Sequence, residues 1–194
     1  MNWANRLTVG RLFFTFIFVV ALSSGWACGK TTGLLLFLLA GITDYADGKI
    51  ARHFNMITDF GKLMDPLVDK IMIASAFICL VPLNAIPAWA VIVIISREFL
   101  ITGLRLLALS KGQVLPAEKM GKHKTAWQIV TVVYFLGVLS FREIHHHPGP
   151  LPDGWYWDAR SGWGGLALIA CALGFTLYSG CGYLWKNRAL LRTG

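Results

Sequence analysis

The sequence predicts an all-α polytopic membrane protein, six transmembrane helices preceded by a short interfacial helix at the N-terminus. Three observations carry this reading. Of the 194 residues, 56% are hydrophobic and 14% charged, whereas ordinary soluble domains carry roughly 25% charged residues. The apolar residues gather into six continuous runs, each close to the roughly 20 residues a helix needs to cross the hydrocarbon core. None of the runs alternates apolar with polar residues, so a transmembrane barrel is excluded and helices, whose backbone hydrogen bonds close internally, remain. At this length the spans and their loops fill one membrane domain over residues 1–194, with no separate soluble domain. Secreted, disordered and nucleic-acid-binding classes are set aside on the same grounds, and no nucleic acid is expected as a partner.

The expected spans are 11–28, 33–53, 62–82, 86–109, 125–141 and 163–186. Before the first, Trp3 and Leu7 stand among polar neighbours, which suits a short helix lying in the interface. Asn5 and Arg6 ahead of the run Leu12 to Leu22 imitate a signal peptide, and Cys28 imitates a lipid-anchored cysteine. Gly25, Trp26 and Ala27 are a poor cleavage context, however, and the rest of the chain is apolar enough to be multi-spanning anyway. The second and third spans form a helical hairpin with acidic residues at its closed end. The fourth contains Arg97 beside Glu98 about halfway along, a placement that demands an internal partner or a polar cavity. Between the fifth and sixth lies FREIHHHPGPLPDGWYWDARSGW, residues 141–163. Adjacent histidines such as His145, His146 and His147 need not converge on a metal with Asp153 and Asp158. Trp155, Tyr156, Trp157 and Trp163 suit an aromatic interfacial belt. In the sixth span Ala170 and Gly174 permit close helix packing without identifying a dimer face.

Orientation follows from the net charge of +8 and its distribution. With the N-terminus inside, twelve basic residues face the cytoplasm, namely Arg6, Arg11, Lys49, Arg52, Lys62, Lys111, Lys119, Lys122, Lys124, Lys186, Arg188 and Arg192. Only Lys30, Arg142 and Arg160 fall outside, while Lys70, Arg97 and Arg105 lie within helices. Positively charged loops stay cytoplasmic, so a multi-pass protein of the cell (inner) membrane with both termini inside is expected. Cys28, Cys79, Cys171 and Cys181 have neither metal-ligand nor disulfide-framework spacing and are expected to pack as small hydrophobes.

Chemistry concentrates where the second span ends and the third begins. Asp44 and Asp47 are spaced i, i+3, and Asp65 and Asp69 are spaced i, i+4, so each pair projects from one face of its helix. The hairpin brings both pairs to the cytoplasmic end. Pairing with Lys49, Arg52, Lys62 and Lys70, or plain solvation, is the bland account. An ionised side chain within a span costs roughly 2.5–3.5 kcal/mol on insertion scales, so four on facing helices call for organised compensation, most simply divalent cations. An oxygen-only donor set favours a hard ion, magnesium or manganese, and two ions balance four carboxylates. Such a pair suits displacement at phosphorus. Gly48 and Ala51 leave room beside Asp47 for a ligand to approach the backbone, and Arg52 offers a fork to phosphate.

Written out, Asp44 to Asp69 reads DYADGKIARHFNMITDFGKLMDPLVD, which fits DxxDGxxARx8GxxxDxxxD at each of its eight fixed positions. The segment resembles the signature of the CDP-alcohol phosphatidyltransferase family. That resemblance implies a six-helix, usually dimeric bundle that displaces CMP from a CDP-linked lipid with an alcohol and uses divalent metal. It implies that Asp44, Asp47 and Asp65 hold the metals, and that Asp69 is the general base and a further metal ligand. Gly48, Ala51, Arg52 and Gly61 would line the CDP moiety. Asn5, Thr8 and Arg11 match a short N-terminal pattern of the family that sits beside the nucleotide.

The acceptor is indicated by a second, basic group, Arg97, Arg105, Lys122, Lys124, Thr125 and Gln128. Several cations beside a metal centre suit an acceptor that bears a phosphate. SREFLITGLR (96–105) and GKHKTAWQ (121–128) resemble the bacterial phosphatidylglycerophosphate synthase branch of the family, whose substrates are CDP-diacylglycerol and sn-glycerol 3-phosphate. Cardiolipin, phosphatidylinositol-phosphate and phosphatidylserine synthases are the alternatives within the family. A divalent-cation transporter is the alternative outside it, and it leaves Gly48, Ala51, Arg52 and Gly61 without a role.

Overall fold

The computed structural model describes residues 3–53, 59–110, 120–145 and 162–188. Six helices follow one another: α1 Trp3–Ser23, α2 Gly29–His53, α3 Asp59–Leu80, α4 Ala88–Ser110, α5 Met120–Ile144 and α6 Trp163–Lys186. The all-helical class is as expected, and no strand occurs among the described residues.

The N-terminus departs from expectation. One continuous helix, Trp3–Ser23, replaces an interfacial helix followed by a span reaching residue 28. Nothing between Trp3 and Ser23 breaks a helix except Gly10, which has open space around it. The helix stops where Gly25 takes a left-handed φ of 64°, a conformation glycine adopts without steric cost. At the α3–α4 connection Asn84, at φ 55°, makes the same kind of turn. The amide of Ala85 donates back to the Leu80 carbonyl at 3.1 Å, closing the end of α3.

Among the described residues, two helical stretches are long and apolar enough to cross a membrane, His123–Ile144 and Trp163–Lys186. Shorter apolar stretches run over Gly10–Ser23, Gly29–Thr43 and Lys70–Leu80. The long α4 is interrupted by Arg97, Glu98 and Arg105, which lower its apolar character where a neutral span would be continuous. Six equivalent spans are thus a stronger statement than the described helices make.

α1 packs against α2 and α3, α2 against α5, α5 against α6, α6 against α4, and α3 against α4 and α5. The bundle is polarised along its axis. One half, toward the α1–α2 and α3–α4 turns, holds the apolar core: Phe18, Phe37, Phe77, Leu80, Ile94, Phe135 and Leu136 are all nearly inaccessible. Phe18 and Phe37 meet at 6.0 Å between ring centroids. In the other half buried positions turn polar, with Lys124, Gln128, Thr131, Thr176 and Ser179. The buried face of α5 thus changes from polar to apolar along the chain and that of α6 from apolar to polar, while on α4 half-buried Arg97 and Glu98 interrupt a buried face that stays apolar at Ile101 and Ala108.

A polar clasp lies in the apolar half. Glu143, near the end of α5, accepts from the Lys30 and Thr31 amides at 3.0 and 2.8 Å and from the Thr31 hydroxyl at 2.8 Å. The Ser140 hydroxyl donates to that of Thr31 at 2.9 Å. These amides are at the start of α2, where no preceding turn accepts them and where the helix dipole favours a carboxylate. Of the cysteines, Cys79 is buried and Cys171 half-buried, but Cys28 and Cys181 are exposed, which corrects the expectation that all four pack. Cys28 lies in the α1–α2 turn, and Cys181 lies between exposed Tyr178 and Trp185 on the outward side of α6.

Candidate active site

α2 carries Asp44, Asp47, Gly48, Ala51 and Arg52, and α3 carries Gly61, Asp65 and Asp69. Both acid-bearing segments are helical, as their i, i+3 and i, i+4 spacing requires. The side chains of these residues lie outside the described residues, as do those of Asn5, Thr8 and Lys122. Five residues join His53 to Asp59, a link that reaches no more than roughly 20 Å when fully extended. Among the described residues no three His, Cys, Asp or Glu side chains form a metal-binding group. Of the N-terminal pattern, Arg11 is half-buried, and its carbonyl accepts from the Thr15 hydroxyl at 2.9 Å. His146 and His147 and residues 148–161 of the loop lie outside the described residues. The His145 ring stacks on Phe141 at 4.0 Å.

The basic group is described in detail. On α4, Arg97, Glu98, Thr102 and Arg105 follow one another down one side of the helix. Glu98 is the carboxylate at its centre. It accepts from Arg97 Nη1 at 3.2 Å and from Lys124 Nζ of α5. The Lys124 side chain is only 5% exposed and those of Arg97 and Glu98 are 13% and 16%. One turn along, Lys70 Nζ of α3 donates to Thr102 Oγ1, whose hydroxyl donates to the Glu98 carbonyl at 2.7 Å. Lys70 immediately follows Asp69, so the basic group adjoins the acid-bearing helix through the backbone.

α6 completes the arrangement, and sequence reading assigned it no part. Ser179 Oγ accepts from Arg97 Nη2. Tyr183 Oη accepts from Arg105 Nε at 3.3 Å, and the Arg105 guanidinium lies 5.4 Å from the Tyr183 ring centroid. Between them Gly180 meets the Arg97 stem, since a Cβ there would lie 3.0 Å from Arg97 Cγ. The available signal was the i, i+4 spacing of Ser179 and Tyr183 in an apolar helix; it becomes informative only once α6 is known to pack on α4. Gln128, buried on α5, donates to Thr176 Oγ1 at 3.4 Å, and Thr125 is half-buried one turn earlier.

Electrostatics decides what such a cluster suits. Burying a charge is costly unless it is paired. Among the described side chains Glu98 pairs with Arg97 and Lys124, while Lys70 and Arg105 bond to hydroxyls. The remaining partners, Thr102, Ser179 and Tyr183, are hydroxyls. A hydroxyl satisfies a donor without cancelling its charge. Arg97 Nε is buried with no hydrogen-bond partner among the described residues. Among the described residues the group thus has more cations than carboxylates and one unmet donor, and a phosphate monoester would bring both negative charge and acceptors.

Comparison with known proteins agrees with this chemistry. Residues 1–176 match the model of the CDP-alcohol phosphatidyltransferase family. A Bacillus subtilis protein named CDP-diacylglycerol--glycerol-3-phosphate 3-phosphatidyltransferase is 37% identical over 99% of this chain and 98% of its own. A Rickettsia felis protein of the same name is 39% identical over 66% of this chain and 71% of its own. A Mycobacterium tuberculosis protein named probable phosphatidylglycerophosphate synthase is 39% identical over 72% of this chain and 68% of its own. A match of this length, over a chain whose acid-bearing segments are helical as the family's motif requires, means that the chain belongs to the CDP-alcohol phosphatidyltransferase family.

Proposed function

We propose that this protein transfers the phosphatidyl group of CDP-diacylglycerol to sn-glycerol 3-phosphate, giving phosphatidylglycerophosphate and CMP. The observation that carries the choice of acceptor is the cluster of Lys70, Arg97, Arg105 and Lys124 near Glu98, Lys124 buried, Lys70 and Arg97 half-buried and Arg105 exposed, joined through Lys70 to the helix of Asp65 and Asp69. The names of the relatives, which specify CDP-diacylglycerol and glycerol 3-phosphate, support the same substrates. A serine or neutral polyol acceptor would bring this cluster no phosphate to bind.

The donor set Asp44, Asp47, Asp65 and Asp69 is all carboxylate and fits a hard divalent cation, magnesium or manganese, two ions matching its charge. When bound, such ions supply charge neutralisation on the pyrophosphate and the departing phosphate oxygen. Gly48, Ala51, Arg52 and Gly61, with Asn5, Thr8 and Arg11, line the CDP moiety. Arg97, Arg105, Lys122 and Lys124, with Thr125 and Gln128, hold the acceptor's phosphate. Asp69 takes the proton from the acceptor's primary hydroxyl as that oxygen forms a bond to the phosphorus bearing diacylglycerol and the bond from that phosphorus to CMP breaks. Both substrates are bound together for direct in-line attack. The chain acts as a single membrane domain of six spans, as a homodimer among membrane lipids. The positive-inside bias puts both termini and the site on the cytoplasmic face of the cell membrane.

The test is CMP release from CDP-diacylglycerol by the purified protein with magnesium, comparing glycerol 3-phosphate, inositol phosphate, serine and phosphatidylglycerol. Release dependent on glycerol 3-phosphate is expected. Release with a different acceptor only would overturn the assignment of the basic group, and metal uptake into sealed vesicles without CMP release would overturn the transferase reading.

A further inference from the structure

We propose that α6 is part of the acceptor site, with Ser179 and Tyr183 as positioning residues that set the aim of Arg97 and Arg105 and thereby the preference for a phosphate-bearing acceptor. The inference rests on the proposed acceptor. An arginine on a long flexible stem binds phosphate well only when its fork is already oriented, because ordering it on binding subtracts from affinity. Arg97 is held at three points. Its Nη1 donates to Glu98, its Nη2 donates to Ser179, and its stem lies against the bare backbone of Gly180. A Cβ at position 180 would lie 3.0 Å from Arg97 Cγ and 3.4 Å from Nε, so the stem would have to give way to accept a side chain there.

Arg105 is more exposed and depends more on α6. Tyr183, itself 2% exposed, gives its hydroxyl to Nε and its ring face to the guanidinium at 5.4 Å. This engages the guanidinium through Nε, and a ligand would be met by its terminal nitrogens. Ser179 and Tyr183 are one helical turn apart, as Arg97 and Arg105 are two turns apart on the facing helix, so the two contacts form a ladder between α6 and α4. Neither hydroxyl neutralises charge. A carboxylate in either place would compete with the acceptor's phosphate, whereas a hydroxyl orients the arginine and leaves its charge available.

The experiment compares wild type with Ser179→Ala, Tyr183→Phe and the double variant, reading KM for glycerol 3-phosphate, KM for CDP-diacylglycerol and kcat separately. Tyr183→Phe keeps the ring and removes only the hydroxyl. Loss of one oriented charge-assisted contact is expected to raise KM for glycerol 3-phosphate about tenfold in each single variant. It should leave KM for CDP-diacylglycerol and kcat at saturating acceptor within about twofold, and the double variant should exceed either single one. A merely structural role would lower kcat or raise both KM values together, and that result would overturn the inference. So would unchanged kinetics in both single variants while wild type uses glycerol 3-phosphate. If wild type itself releases no CMP with glycerol 3-phosphate, the acceptor assignment fails, and this inference fails with it.

Discussion

Replacing Glu98 with Gln removes one charge from the centre of the basic group while keeping its shape and one acceptor oxygen. The hydrogen bonds from Arg97 and Lys124 to that position therefore keep a partner, and what disappears is the counter-charge. Breaking a buried pair by neutralising one member costs about 3–5 kcal/mol, and the 16% exposure of Glu98 argues for the lower end, about 3 kcal/mol. For a chain of this size 1 kcal/mol corresponds to about 2–4 °C, so the apparent Tm in detergent should fall by roughly 6–12 °C. The same change should strengthen binding of a dianionic acceptor, which then supplies the missing charge. At a concentration ten times the wild-type Kd, binding stabilises wild type by about 1.4 kcal/mol, and a tenfold tighter variant by about 2.7 kcal/mol. Thermal unfolding with and without glycerol 3-phosphate, with glycerol as the neutral control, reads this directly. Glycerol 3-phosphate should protect Glu98→Gln by a few degrees more than wild type, and glycerol should protect neither. Equal or weaker protection of the variant would refute the idea that Glu98 stands in for the acceptor's phosphate.

Asp69→Asn should nearly abolish CMP release while CDP-diacylglycerol binding, followed by equilibrium binding of labelled lipid, remains detectable; wild-type rates would remove the base assignment. Arg97→Lys keeps the charge but loses the fork to Glu98 and Ser179, and should raise KM for glycerol 3-phosphate at least tenfold in the same release assay. Chelation with EDTA should stop turnover, and magnesium or manganese should restore it, with calorimetric titration of the metal-free protein reporting the stoichiometry. Glu143→Ala strips an acceptor from two amides and a hydroxyl at the start of α2 and should cost about 1–3 kcal/mol in thermal unfolding, with kcat at low temperature near wild type.

The helices were legible because their signal is local. Residues 163–186 were expected as a span and α6 runs Trp163–Lys186; 86–109 became Ala88–Ser110. The first span was drawn too far toward residue 28, because the sequence there remains apolar while Gly25 turns the backbone. Arg97 stood out because a charge about halfway along an apolar run is costly and needs a reason, and Arg105, Lys124 and Gln128 stood out as members of the basic cluster with it. Their partners on other helices did not stand out. Ser179 and Tyr183 are unremarkable in an apolar helix, and the pairing of Glu143 with Lys30 and Thr31 spans more than a hundred residues. Periodicity reports which face of a helix is polar, but which helix meets that face is a property of packing.

The polarised bundle gives a physical reason for the proposed metal and acceptor sites to lie together. Metal carboxylates and phosphate-binding cations would each be expensive alone in an apolar bundle, and each becomes affordable near the other. Four carboxylates on α2 and α3 and four cations on α3, α4 and α5 lie in the half of the molecule from which the apolar core has withdrawn. Lys70 joins them, since it follows Asp69 on α3 and bonds to Thr102 on α4. On the proposed reaction this adjacency has a use. An acceptor anchored by its phosphate among Arg97, Arg105 and Lys124 is fixed at one end, and its free hydroxyl is left to search a small volume beside α3. Asp69 is the next residue along that helix, so anchoring the phosphate would also restrict where the hydroxyl can present its proton, raising effective concentration at the reacting atoms. A phosphate-free acceptor, which has no anchor at all, should therefore lose rate as well as recognition, whereas loss of one aiming hydroxyl on α6 leaves the cations in place to anchor a bound phosphate and costs recognition alone.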